Sequence, residues 1–406
     1  MNRFEFKSRL RTILMIGIGI GLISLIVQFF VTGDELKSQF WGDVLLNNTF
    51  FMGMSLMALF TLAAFITAWA GWYTVFRRLL EVFNVFLIPG AIIMLLLAIG
   101  NYLGWHHLYL WADDHMVEHD EVIQGKAPFL NKNIYLMATI LFVGFWLFVR
   151  WKLKNLTNLE QAGVQGDYSY HRKMRNWSAV FLPVAGYTSA LLIWLWIMSV
   201  EVHWYSTLYA WYTAASWFVA MISMFIIVLV LLKKNGYFEL VTKQHIHDLG
   251  KFLFAFSIFW TYLFFDQYML IWFGNVGEET AHFKLQQTEY PFLFFTILVL
   301  NFIVPFLGLM INTAKKTYWV LLTVAVLTFI GHWFDMYLNL KPYVAEGVHH
   351  ITGEAHHVFP FPNLMEIGTM IGFLSLFLFL VFNSLSKVEL VPENDPYLQE
   401  SIHHHV

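Results

Sequence analysis

The sequence predicts an all-α, polytopic membrane protein with about ten transmembrane helices. Of its 406 residues, 58% are hydrophobic and only 13% are charged, whereas soluble globular chains carry about 25% charge. The 41 Phe, 17 Trp and 18 Tyr residues exceed what a water-exposed body can bury. Ten apolar runs are each long enough to cross about 30 Å of hydrocarbon as a helix. The runs are continuous and lack the alternation of period two that is typical of β-barrel strands.

These runs fill most of the chain and leave no room for a water-soluble domain between them. The longest connections, over residues 105–133, 152–177 and 341–363, are too short for more than an interfacial helix. The first run follows a basic stretch, but it is longer than a typical signal core and no Ala-x-Ala-like site precedes Gly33, so we expect a retained anchor. One integral membrane domain over residues 1–406 follows. The runs cover approximately residues 12–31, 49–71, 82–104, 134–151, 178–199, 206–232, 249–273, 291–312, 318–340 and 364–385.

Basic residues are distributed unevenly between the two sides of the predicted membrane. The N-terminus, the even-numbered loops and the C-terminus hold 19 of the 24 Lys and Arg residues, and the odd-numbered loops hold 5. Because basic loops stay in the cytoplasm, both termini are predicted to be cytoplasmic. The odd loops are acidic, which suits either contact with extracytoplasmic subunits or a solvated surface. The net charge of -3 disfavours a nucleic-acid partner.

Two segments of similar sequence suggest an internal repeat. The third run ends in WHHLYLW over residues 105–111, and the corresponding part of the seventh run reads DQYMLIW over residues 266–272. Two four-helix bundles related by an axis along the membrane normal produce such an echo, and coincidence in an aromatic-rich chain is the alternative. The bundles would cover about residues 49–199 and 206–340, with two additional helices at about residues 12–31 and 364–385.

A few ionisable side chains fall inside the apolar runs, where insertion costs about 3 kcal/mol each. Asp266 lies in the outer half of the seventh run, and Glu366 begins the tenth. His332 and Asp335 share one helical face in the outer half of the ninth run, where they can exchange a proton. Such groups at one depth suit a proton relay or a quinol-oxidising pocket, and hydrogen bonding to a neighbouring helix is the alternative for each. The candidate site is therefore Asp266, His332, Asp335 and Glu366, with Glu201 and His203 at the end of the fifth run as further candidates.

The composition also restricts the cofactors. Without cysteine, the chain can hold no disulfide, no thiolate-ligated iron–sulfur cluster and no thioether-attached haem. Of its 17 histidines, only His332 is clearly inside a run, so the facing histidines of a b-type haem are not expected. No His-Glu-x-x-His motif and no phosphate loop occur. We expect no cofactor bound covalently or by metal ligation in this chain.

Essentially the whole chain resembles one family of respiratory membrane subunits. The specific stretches are WHHLYLWADD over residues 105–114 and HDLGKFLFAFSIFWTYLFFDQYMLIWFGNVGEET over residues 247–280. Together with ten spans and cytoplasmic termini, these stretches are similar to the ActF-like family, the smaller polysulfide-reductase-type (NrfD-like) membrane subunit of bacterial Alternative Complex III.

The resemblance implies a subunit of a quinol:electron-acceptor oxidoreductase in the bacterial inner membrane. Its fold would pair two four-helix bundles with two further helices. The implied partners are a sister NrfD-like subunit, an iron–sulfur subunit, c-type cytochromes, lipids and a terminal oxidase, with haems and clusters held by those partners. Only Asp266 and its neighbours inherit a family role, as a proton-path carboxylate. The subunit would contribute to the quinone-facing arm, where it could contact quinone or menaquinone, and would not be catalytic alone.

The sequence is compatible with two other functions. A secondary transporter would use the outer carboxylates to bind substrate or ions, although transporter sites usually lie near the midplane at broken helices. Pro89, Pro183 and Pro305 are the features that favour it. A structural scaffold without a site of its own is the second alternative.

Overall fold

The computed structural model describes residues 3–31, 37–164, 166–352 and 360–404. It is 81% helical and has no strands within these residues. Ten of the described helices are long and apolar enough to cross a membrane, which confirms the predicted all-helical class and is compatible with the predicted multi-pass arrangement. The segment after the first helix that bears on signal cleavage, residues 32–36, lies outside the described residues. The ten helices are α1 Ser8–Val31, α2 Lys37–Thr67, α3 Thr74–Leu103, α4 Lys132–Ala162, α5 Ser169–Trp196, α6 Leu208–Lys234, α7 Lys243–Gly274, α8 Pro291–Leu309, α9 Tyr318–Leu338 and α10 Leu364–Leu385.

Polar residues cap the N-terminal ends of several helices, and two of these helices, α4 and α7, begin before their apolar runs. The Asn131 side chain accepts a hydrogen bond from the Ile134 N–H at the start of α4. Thr242 and Asn363 form capping boxes at the starts of α7 and α10. Such caps satisfy backbone N–H groups that have no partner within the helix. The helices therefore begin where the capping residues stand, which in α7 is well before the hydrocarbon-length run.

The helices pack as two rings that share a face. In the first ring α2, α3, α4 and α5 contact one another in order and α5 returns to α2, and in the second α6, α7, α8 and α9 do the same. The rings meet where α2 contacts α6. These two helices are the most enclosed of the ten, with 83% and 89% of their apolar windows buried. A helix that is apolar on every side is suited to this central position.

The remaining helices, α1 and α10, pack tightly against each other. A Cβ atom on Gly21 would lie 2.4 Å from the Gly372 Cα, and one on Gly372 would lie 2.5 Å from the Gly21 Cα. Gly17 and Gly368 complete a Gly-x-x-x-Gly pattern on each helix. Small residues at this spacing let two backbones approach closely within a membrane. The helices flanking the two rings thus form a pair, and α10 connects this pair to α2.

The helices within the described parts of the connections are short. At the end of the molecule that the charge distribution predicts to be outer, they are Asp114–His119, Glu121–Lys126, Gly277–Glu289 and Lys341–Thr352. The opposite, predicted inner end contributes Asn312–Lys316, and Leu398–Ile402 follows α10. The side chains of Asp113 and Asp120 cap the first two of these helices.

Candidate functional site

A buried polar cluster lies between α6 and α9, in the predicted outer half of the second ring. His332 and Asp335 on α9 are 0% and 2% exposed. The Ser216 hydroxyl on α6 is 2.9 Å from His332 Nδ1 and donates to Asp335 Oδ2 over 2.9 Å. Tyr212, one turn away on α6, donates its hydroxyl to Asp335 Oδ1. The Asn339 amide donates to the same oxygen over 3.1 Å, so three donors converge on one carboxyl group.

The donors and acceptors in this cluster determine the histidine tautomer. A serine hydroxyl has one proton, and Ser216 donates it to Asp335. When Asp335 is ionised and accepts this proton, the contact between Ser216 and His332 requires His332 Nδ1 to carry a hydrogen and to donate it. In the neutral ring His332 Nε2 is then a bare acceptor, and this buried atom has no hydrogen-bond partner in the described protein. The cluster can accept a proton at Nε2 and pass one through Ser216 toward Asp335.

More unsatisfied polar atoms lie near His332, toward the predicted inner end. Asn301 is in a π-helical segment of α8, Val299–Ile303, and its side chain lies against Gly331, which precedes His332. Both polar atoms of the Asn301 amide are buried without a partner, as is the hydroxyl of Thr328, one turn before His332 on α9. Buried polar atoms are normally satisfied by protein or by ordered water. Single π-helical turns are also frequent at functional sites.

A second polar group lies at the predicted outer end. Glu201 Oε2 is 2.6 Å from His282 Nδ1, and Gln286 contacts both His282 Nε2, at 3.1 Å, and the Tyr343 hydroxyl, at 3.2 Å. The His282 ring stacks between Trp204, with ring centroids 3.9 Å apart, and Tyr343, at 5.0 Å. A cavity of about 310 Å³ adjoins this group and is lined by Glu201, Trp204 and Tyr343 among others. The group thus places the Glu201 carboxylate beside open space, with the buried His282 imidazole hydrogen-bonded to it.

The outer loop histidines have different environments. Burial lowers the pKa of His106 to about 4, although its hydrogen bond to the Leu97 carbonyl opposes the shift. His203 lies 2.6 Å from the Asp120 carboxylate. Burial acts to raise the pKa of Asp120, but hydrogen bonds from His203 and from the Ile123 and Val122 N–H groups outweigh it and lower the pKa. His106 is therefore neutral near pH 7, whereas Asp120 is ionised.

Glu366 belongs to a separate ionic cluster. Its carboxylate lies 3.1 Å from the Lys341 ammonium, which also lies 2.7 Å from Asp43 on α2. The Tyr337 hydroxyl and the Asn363 N–H donate to Glu366 Oε2. These contacts join α2, α9 and α10, and they engage Glu366 in a cap and an ion pair. No hydrogen bond among the described residues links this cluster directly to His332 or Asp335.

Asp266 is not part of either cluster. It is half-buried on α7, and it makes no hydrogen bond or ion pair with any residue that the structure describes. Of the four candidate residues, the structure brings together only His332 and Asp335.

Sequence reasoning missed most of the partners of these two residues. Tyr212, Ser216 and Asn339 are common residue types in aromatic-rich membrane helices, and nothing in their spacing marks them. His282 lies between two apolar runs, where the sequence predicts a loop and nothing singles the residue out. The structure places it in the short polar helix Gly277–Glu289. Within the described residues no group of three or more His, Asp or Glu side chains could hold a metal ion.

Comparison with protein-family models and with curated proteins finds no match for this chain.

Proposed function

We propose that this chain is a membrane subunit of a quinol-oxidising respiratory complex of the Alternative Complex III type, and that its α6–α9 cluster moves protons toward the predicted outer face. The main support is the fully buried arrangement of Ser216, His332 and Asp335 inside apolar helices. Ionisable groups in this position are costly and mark proton relays or ion paths by default. Quinol oxidation releases protons that must pass to groups able to accept them.

The geometry suggests a direction of transfer. His332 Nε2 has no hydrogen-bond partner in the described protein, whereas Nδ1 leads through Ser216 to Asp335 and Tyr212. Protons would enter at Nε2, cross the cluster and continue toward the Glu201 and His282 group beside the outer cavity. The c-type haems and iron–sulfur clusters would be held by partner subunits, because this chain has no cysteine.

The first test is purification of the chain from its native membrane in mild detergent. Co-purification of c-type haem, iron–sulfur protein and quinol-dependent electron transfer is the expected result. A chain that is recovered alone, or with transport activity, would contradict the respiratory assignment.

The second test addresses the relay within the assembled complex. Asp335→Asn keeps the size of the side chain but cannot titrate, and we expect turnover or proton release to fall roughly tenfold or more. Ser216→Ala removes the bridge and should reduce the same quantities. Ser223→Ala is the matched control, because Ser223 is also fully buried on α6 and its hydroxyl makes no hydrogen bond in the described protein. Wild-type turnover and proton release in Asp335→Asn would show that the cluster only stabilises helix packing, and would favour the scaffold alternative.

A further inference from the structure

The outward face of α7 combines a lone carboxyl group with large exposed apolar side chains. Tyr262 and Phe265 are each 59% exposed, and Met269 and Phe273 on the same side are 41% and 83% exposed. Asp266 lies among them and is half-buried. We call Tyr262, Phe265, Asp266, Met269 and Phe273 the α7 stripe.

Asp266 is an exception among the acidic residues of the ten helices. The others each have a hydrogen bond or an ion pair with a described residue, while Asp266 has none. The partnered residues are Asp43, Glu81, Glu160, Asp248, Asp335 and Glu366. Unlike them, Asp266 lies on the side of its helix that the described residues leave uncovered.

The depth of Asp266 makes this exposure costly. It precedes the last residue of α7, Gly274, by eight positions, which at 1.5 Å per residue is about 12 Å along the helix. An aspartate side chain is too short to extend that far to the headgroups. Charged groups at membrane depth are rare and nearly always face the bundle interior or pair with another group. A partner from outside this chain would remove the cost.

We propose that the α7 stripe binds a transmembrane helix of a different subunit, which presents a Lys or Arg side chain to Asp266. A cation complements the unpaired carboxylate, and the apolar stripe provides the packing surface. A second copy of this chain is a poor occupant, because a two-fold contact through the stripe brings two Asp266 carboxylates together. The proposal rests on the proposed function only in requiring a multisubunit assembly.

A single introduced cysteine tests the surface directly, because the chain has none of its own. Phe265→Cys would be labelled with a benzophenone maleimide in native membranes, illuminated and analysed by mass spectrometry. Leu141→Cys is the matched control: Leu141 is 61% exposed on α4 and lies nine residues from the outer end of its helix, as Phe265 does. We expect an adduct with a different polypeptide from Phe265→Cys, with a Lys or Arg near the attachment point, and lipid adducts from Leu141→Cys. Adducts of Phe265→Cys with lipid, quinone or a second copy of this chain alone would overturn the proposal.

Substitution of Asp266 measures its contribution. Asp266→Leu should weaken retention of the cross-linked partner roughly 5- to 30-fold, the effect of losing one polar contact between membrane helices. Leu141→Ala, on the exposed control surface of α4 outside the stripe, should leave retention unchanged. Retention of the partner by Asp266→Leu at the wild-type level would refute the role of the carboxylate. Asp335→Asn should retain the partner, so a failed relay and a failed docking surface give different results.

Discussion

Asp335 and Asp266 occupy the same predicted half of the same helix ring but have opposite environments. Asp335 is almost completely buried and accepts hydrogen bonds from Tyr212, Ser216 and Asn339. Asp266 is half-buried and has no partner in the described protein. Depth in an apolar run therefore does not determine whether a carboxyl group is buried and hydrogen-bonded. The face of the helix on which the residue lies determines this.

The buried positions of α7 show that a shift of one residue separates the buried face of the helix from the face that carries Asp266. Ser257, Trp260, Leu263, Gln267 and Ile271 are buried and recur every three or four residues, which is the period of one helix face. Asp266 precedes Gln267 by a single residue, a rotation of about 100° at 3.6 residues per turn. One position along the chain thus separates an interior side chain from one on the outer surface.

The largest effect should come from breaking a buried ion cluster. Lys341→Met leaves Asp43 and Glu366 buried without their shared cation, and we expect a loss of about 3–5 kcal/mol in the free energy of unfolding. Lys132→Met is the control, because Lys132 is 3.8 Å from an Asp114 side chain that is 96% exposed, and exposed pairs contribute at most about 1 kcal/mol. Reversible unfolding in detergent measures both. Equal stability of the two variants would contradict the distinction between buried and exposed charges.

The two aspartates should also differ in their effect on the stability of the isolated chain. Asp335→Leu removes the acceptor for Tyr212, Ser216 and Asn339, and each buried group left unsatisfied costs about 1–3 kcal/mol. Asp266→Leu removes no hydrogen bond or ion pair within the described chain and should change stability by less than about 0.5 kcal/mol. Thermal unfolding of both purified variants tests this. A similar loss in both would show that Asp266 has a structural partner within the chain.

Turnover should separate the same two positions. Asp335→Asn should slow quinol-dependent turnover of the assembled complex roughly tenfold or more, as removal of a proton-transfer group does. Asp266→Asn changes the same chemical group outside the cluster, so complexes that retain their partner should turn over at the wild-type rate. Comparable slowing of turnover by both substitutions would indicate that Asp266 is part of the proton path.

The smallest effect concerns the outer loops and depends on pH. The pKa of Asp120 is lowered in the folded chain, so its ionised form stabilises the contact with His203, and this stabilisation is present above the unfolded value of about 3.9. It should be lost as pH falls through the lower, folded pKa. Because the pair is partly exposed, the effect should remain below about 1 kcal/mol. Hydrogen exchange of residues 114–126 measures it, and Asp120→Asn should remove the part of the pH dependence that this pair contributes.

Much of the architecture could be predicted from the sequence. Ten apolar runs give ten helices, because a backbone in hydrocarbon must satisfy its hydrogen bonds within each helix. The tenth run begins at Leu364, as α10 does. Helix ends were harder to place where capping residues such as Thr242 extend a helix beyond its apolar run. The pairing of His332 with Asp335 on one face also followed from their spacing alone.

The sequence by itself determined which residue types are available to the site: the chain is apolar, has no cysteine and carries a few ionisable groups inside its helices. Tertiary structure decided which of those groups meet. Ser216 and Tyr212 become partners of Asp335 only because α6 packs against α9, more than a hundred residues later in the chain. Asp43 and Lys341 likewise meet Glu366 only because segments that are distant in sequence pack together. In membrane helices both the buried and the lipid-facing sides are apolar, so the sequence lacks the contrast in hydrophobicity that would reveal which way a helix is turned.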